Sequence, residues 1–120
     1  MNPKSLRESA SGRAVVDAGL YITGHATERF RKHHPHADWR MGLRCVASAV
    51  EVSQGAIAPL IGRSVKAVPD RYFLTADRQG VWVVAPGRPG ASRPWSAVTY
   101  LRFQAYQKQL AERLWKEEGR

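Results

Sequence analysis

Five consecutive apolar residues, Val81-Trp82-Val83-Val84-Ala85, lie between two stretches that cannot extend them. Asp77-Arg78-Gln79-Gly80 reads as a turn ending in glycine. Pro86-Gly87-Arg88-Pro89-Gly90 cannot be regular structure and forms a loop tip carrying one arginine. A short, β-branched run bounded in this way is a strand. It has no polar residue to face water, so it should be central and covered on both faces. It is far too short to span a membrane.

The flanking segments supply the rest of a sheet. Arg71 to Ala76 is rich in strand formers. Trp95 to Phe103 reads as another strand, with Val98 and Tyr100 on one face and Ala97, Thr99 and Leu101 on the other. Residues 56–68, with Pro59 and Gly62, leave room for one more short strand. Upstream, residues 1–13 read as a loose arm and 14–120 as one domain. Residues 14–22 suggest a strand broken near Gly19. Thr23 is placed to cap a helix from Gly24 to His33, which Pro35 stops. Asp38 caps a second helix, whose apolar residues Trp39, Leu43, Val46 and Val50 step by four, three and four, with an end near Ser53. Cys45 flanks that stripe and reads as a small core residue. At the other end, Phe103, Tyr106, Leu110 and Leu114 mark a C-terminal helix over 104–117.

The order predicts an α+β fold: two N-terminal helices packed on a three- to four-stranded antiparallel sheet, plus a C-terminal helix. Helices on one sheet face leave the other open, and basic if Arg71 and its neighbours point there. An open basic face suits a single-stranded polynucleotide.

Length and charge narrow the function. The 120 residues allow one domain. A single cysteine makes no internal disulfide and no zinc cluster, which suggests a reducing compartment. The net charge of +9 exceeds the about 2–8 that solubility needs in a small domain. It points first to nucleic acid, then to an acidic protein or anionic membrane. Residues 35–54 are neutral, while the segments around them each carry net +3. The neutral segment should pack inside. The first dozen residues lack the apolar stretch of a signal peptide, so the expected location is cytoplasmic, or a target cell after delivery.

Two groups of residues can carry chemistry. His25 and Arg29 are four apart and share a helix face. A neighbouring cation disfavours imidazolium, so such a histidine can act as a base near neutral pH, while the arginine binds a phosphate. The second group is Arg63, Lys66, Arg71, Tyr72, Thr99, Tyr100 and Arg102. Metal-free RNA cleavage needs a base for the 2′-OH, a cation for the phosphate and an acid for the leaving oxygen, and these residue types supply them. Aromatics beside the cations can stack unpaired bases. His33, His34, His36 and Asp38 crowd too tightly around Pro35 for an ordinary metal site, so no metal is expected there, although these imidazoles can touch phosphates. No serine triad, phosphate-binding glycine loop or paired-carboxylate site is evident.

The stretch Tyr21-Ile22-Thr23-Gly24-His25-Ala26-Thr27-Glu28-Arg29-Phe30 resembles the I-T-x-H-A-x-x-R opening of a family of small bacterial domains. In that family a second helix, a strand, a y-v-v hairpin and a v-x-T-v-Y-like strand follow. Their counterparts here are Ala47 to Val52, Arg71 to Leu74, Val81 to Val84 and Val98-Thr99-Tyr100. The family is similar to RelE-type toxins and to the wider barnase/EndoU/colicin/RelE superfamily of metal-independent ribonucleases. The likeness spans about residues 21–101. The segment before the first strong strand is longer than the pattern, and the closing helix extends past it.

The resemblance implies an endoribonuclease toxin with no cofactor. Its active-site candidates are His25, Arg29, Arg71, Tyr72, Thr99 and Tyr100, with Arg63, Lys66, Arg88 and Arg102 contacting RNA. An acidic antitoxin or immunity protein is the expected protein partner, and no membrane is involved. Two other readings stand beside it. One is a non-catalytic nucleic-acid-binding module. The other is an interaction protein that docks through Tyr106, Leu110, Leu114 and Trp115.

Overall fold

The computed structural model describes residues 10–61 and 70–118. Arg63 and Lys66 lie outside the described residues. The apolar run forms strand β4 (Gly80–Pro86), and Val81, Trp82, Val83 and Val84 are each at most 1% exposed. Strand β3 (Arg71–Leu74) precedes it and β5 (Trp95–Arg102) follows, both antiparallel to it. Two short strands complete a mixed five-stranded sheet in the order β1-β5-β4-β3-β2. Strand β1 (Leu20–Ile22) runs parallel to β5, and β2 (Val50–Val52) runs antiparallel to β3. The fold is α+β with a C-terminal helix, but the sheet is larger than expected and not purely antiparallel.

Helix α1 (Ala10–Gly19) takes up residues expected as a loose arm and a strand. Val15 is buried and Val16 packs beside it, an adjacent pair that reads equally as strand in sequence. The helix stops at Gly19, whose φ of +111° is left-handed and suits glycine at a helix end. Helix α2 (Gly24–Arg31) starts where Thr23 predicts, with the Thr23 Oγ1 accepting from the Ala26 N–H at 3.1 Å. The Thr23 hydroxyl donates to the Ala97 carbonyl at 3.1 Å, and its N–H donates to the same carbonyl. One residue thus caps α2 and ties its start to β5.

Helix α3 (Trp39–Ser48) is capped by Asp38, which accepts from the Met41 N–H at 3.0 Å. It ends before Ser53, because Val50 and Val52 leave the helix to pair with Leu74 and Tyr72. Helix α4 (Gln54–Ile61) occupies the first part of the segment where a short strand was expected, the rest of which, 62–68, lies outside the described residues, and Ser53 Oγ accepts from the Ala56 N–H at its start. Gln104 leads into a 3₁₀ turn (Ala105–Gln107) and then helix α5 (Lys108–Glu118).

Both sheet faces are covered. On one, Phe30, Ala26, Val15 and Val46 from α1–α3 pack on Phe73, Trp82, Val84, Ala97 and Tyr100. The Phe30 ring lies 4.9 Å from Trp82 and 5.1 Å from Tyr100, and such pairs add about 0.5–1.5 kcal/mol each beyond area burial. On the other face, Ile57, Leu60, Ala111 and Leu114 from α4 and α5 pack on Tyr72, Leu74, Val81 and Val83. The open basic face is therefore absent. Apolar strand residues on both faces need cover, and α4 and α5 supply it on the second. Leu110, Leu114 and Trp115 are used in that packing, which leaves Tyr106 as the exposed member of the proposed docking set.

A bulge interrupts β5. Val83 opposes Thr99 and Val84 opposes Ala97, so Val98 is an extra residue. Ala97 and Tyr100 consequently face the same core, while Val98 and Leu101 lean on the other. This corrects the expected alternation, which assumed an unbroken period of two.

Candidate functional site

Beyond Ala97, the outer edge of β5 has no strand partner among the described residues, because β1 ends at Ile22. Helix α2 lies along that edge. Its last turn and the residues after it carry Arg29, Lys32 and His33, spaced three and four apart on one side. Arg102 ends β5, and Lys108 begins α5. These five residues line one cavity of about 470 Å³, with Tyr100, Phe103 and Gln104 completing its wall. Arg29, Lys32, Arg102 and Lys108 give it four formal positive charges, and no carboxylate lines it.

Two of the four cations, Arg102 and Lys108, are held in place by a neutral group. The Gln79 Oε1 accepts from Arg102 Nη2 at 3.4 Å and also from Lys108 Nζ. The Gln79 carbonyl accepts from the Phe103 N–H at 2.8 Å. Asp77 shapes this turn by accepting from the Gln79 N–H and from the Thr75 hydroxyl. Arg78, at a left-handed φ of 57°, pairs with Glu112 at 2.9 Å and stacks on Trp115. The β3–β4 turn therefore fastens α5 beside the end of β5, and the cleft forms where they meet α2.

Tyr100 supplies the wall with a buried hydroxyl. The residue is 2% exposed and its hydroxyl is sealed from solvent, with the Arg102 guanidinium as its polar neighbour. Burial pushes its pKa well above the usual phenol range, with nearby Arg102 offsetting a part. It therefore stays protonated. Gly80 makes room for it, since a Cβ at that position would lie 2.5 Å from the Tyr100 oxygen. His33 is pushed the other way. Burial first, and then Arg102, His34, Lys32 and Arg29, hold its pKa below the ordinary imidazole value of 6.5. At neutral pH it is a neutral imidazole, able to accept a proton.

The other expected site residues lie elsewhere. His25 is exposed on the first turn of α2 and does not line the cleft. Arg71 is bound by Glu51 through two bonds of 2.8 and 2.7 Å, and its guanidinium stacks on Trp95 and Phe73. Tyr72 and Thr99 are buried, Tyr72 among the residues that α4 and α5 cover. Arg88 lies in the loop after Pro86, whereas Arg102 opposes Gly80. The six intervening steps of β4 put those two ends about 20 Å apart. The structure thus brings together Arg29, Tyr100 and Arg102 from the expected set, and adds Lys32, His33 and Lys108. The spacing of Arg29, Lys32 and His33 was visible in the sequence, whereas the approach of Lys108 and Gln79 is a tertiary fact.

Among the described residues, no group of three His, Cys, Asp or Glu could hold a metal ion, and no helix is long and apolar enough to cross a membrane. No family model, curated protein or solved structure matches this chain. The site itself therefore carries the functional argument.

Proposed function

We propose that the chain is a metal-independent endoribonuclease that acts in the cleft between α2, β5 and α5. The observation that carries this reading is four cations around one cavity, with a neutral histidine beside them. Like charges gathered with no counter-ion among the described residues repel each other, so the cleft is built for an anion. A phosphodiester fits, with oxygens for the guanidiniums. The same charges disfavour a divalent cation beside the phosphate.

The chemistry follows from the groups present. His33 takes the proton of the ribose 2′-OH. The O2′ attacks phosphorus, and the P–O5′ bond breaks to give a 2′,3′-cyclic phosphate. The leaving 5′-oxygen takes a proton from the Lys108 ammonium. Arg29 and Arg102 bear the charge that builds on the phosphoryl oxygens. The expected role of His25 passes to His33, one helical face and two turns further on. An acidic inhibitory protein would bind the same surface through charge complementarity.

The test is cleavage of a mixed RNA pool in EDTA by the parent, His33→Ala and His25→Ala. Cleavage by the parent and His25→Ala, but not by His33→Ala, is expected. Loss with His25→Ala alone would return the reaction to the first turn of α2. If no protein cuts yet all bind RNA at low salt, the chain is a binding module instead.

A further inference from the structure

Tyr106 is 82% exposed, while the other large side chains of the closing segment pack on the sheet. The turn that presents it is rigidly held. Gln104 N–H donates to the Gln107 Oε1 at 2.7 Å, and the Gln107 Nε2 donates to the Leu60 carbonyl at 2.7 Å. The Gln107 N–H in turn donates to the Gln104 carbonyl at 3.0 Å. A second cavity of about 350 Å³ is lined by Tyr106 together with the apolar side chains of Leu60, Ile61 and Leu101. Arg29 and Arg102 belong to this recess and to the basic cleft alike.

We propose that this recess takes one unpaired nucleobase of the strand whose phosphate occupies the cleft, with Tyr106 as the stacking platform. The proposal rests on the reading of the cleft as a phosphate site. A flat aromatic ring together with apolar side chains, beside two shared guanidiniums, matches a base joined to a phosphate. The platform is ordered before binding, so little freedom is lost on stacking. The Gln107 amide is engaged in the turn through both its oxygen and its nitrogen and is not free to read base edges. Recognition is therefore by ring surface, and it tolerates any base while requiring that the base be unpaired. This makes single-stranded RNA the substrate class, with little dependence on sequence.

The test measures binding of three uncleavable probes to the full chain: a 2′-O-methyl hexauridylate, the same strand without bases, and inorganic pyrophosphate. The variants are Tyr106→Ala and Tyr106→Phe, with thermal unfolding as the check on folding. Stacking is worth about 1–3 kcal/mol per base, which is about 5- to 150-fold in affinity. Tyr106→Ala should lose that factor on the hexauridylate alone, and Tyr106→Phe should retain parental affinity. If Tyr106→Ala binds the base-bearing strand like the parent while pyrophosphate still binds, the recess is wrong and the cleft stands. If Tyr106→Ala weakens pyrophosphate equally, the ring only supports the turn, and stacking is overturned. If the parent binds neither strand nor pyrophosphate, the cleft reading fails and this proposal falls with it.

Discussion

Arg71 on β3 and Arg102 on β5 flank the central strand β4, the first opposite Val84 and the second opposite Gly80, and they have opposite surroundings. Arg71 is matched by the Glu51 carboxylate and clasped by two aromatic rings, with 27% of its side chain exposed and 31% of its partner's. The pairing with Glu51 raises its pKa further, so its charge is fully committed. Arg102 is held by an amide and shares its cavity with three more cations. The first arrangement closes the sheet between β2 and β3. The second leaves a positive charge fixed in place and unanswered. Residue type does not distinguish the two arginines, but the charge of the nearest acceptor does.

This comparison can be broken most directly through activity. Arg102→Ala should lower RNA cleavage by about 10²–10³-fold, the cost of removing one preorganised donor, with its thermal unfolding near the parent's. Arg71→Ala should retain cleavage per folded molecule. Equal losses in single-turnover assays would mean that the two arginines do the same work.

Stability separates them in the other direction by a smaller amount. Arg71→Ala leaves the Glu51 carboxylate half-buried without its partner, which should cost about 1–3 kcal/mol in a urea titration. Arg102→Ala relieves repulsion and should cost nothing measurable. A destabilised Arg102→Ala would show that the cleft contributes to the fold rather than straining it.

The subtlest difference concerns pH. Because His33 is held below its ordinary value of 6.5, its protonation opposes folding. The contribution is fully present above pH 6.5 and is lost as pH falls through the window between the ordinary and the lowered value. Cleavage should rise with pH along a limb centred below 6.5, since the base must be neutral. His33→Ala should remove both effects, and a limb unchanged in a residual activity of that variant would assign the base to another group.

Local features were legible from the chain. Thr23 and Asp38 cap their helices because capping is settled within three residues. The central strand was legible because its five apolar residues admit one environment. The same run already argued against an open sheet face, and that argument outweighs the helix-to-strand order that suggested one. Helix α4 was hidden by Gly55 and Pro59, which read as a break. Val50 fitted a helical stripe and a strand equally, and only its pairing with Leu74 decides. Strand β1 and the Val98 bulge are set by partners about 75 residues away or across the sheet, and no local pattern encodes them. The cleft was half legible for the same reason: Arg29, Lys32 and His33 share one turn, while Lys108 reaches them only through the folded turn at Gln79.

Gln79 fixes Arg102 and Lys108 while adding no charge of its own. Glutamate has nearly the same shape, with one oxygen in place of the amide nitrogen. Loss of ammonia from this single side chain, the slow ageing reaction of amides, would keep both contacts and set a negative charge between the two cations. Arg102 would then stand as Arg71 does, answered from within the protein. The difference between a cleft that needs an anion and one that already has its own is therefore a single atom in a turn, on a residue that need never touch the ligand.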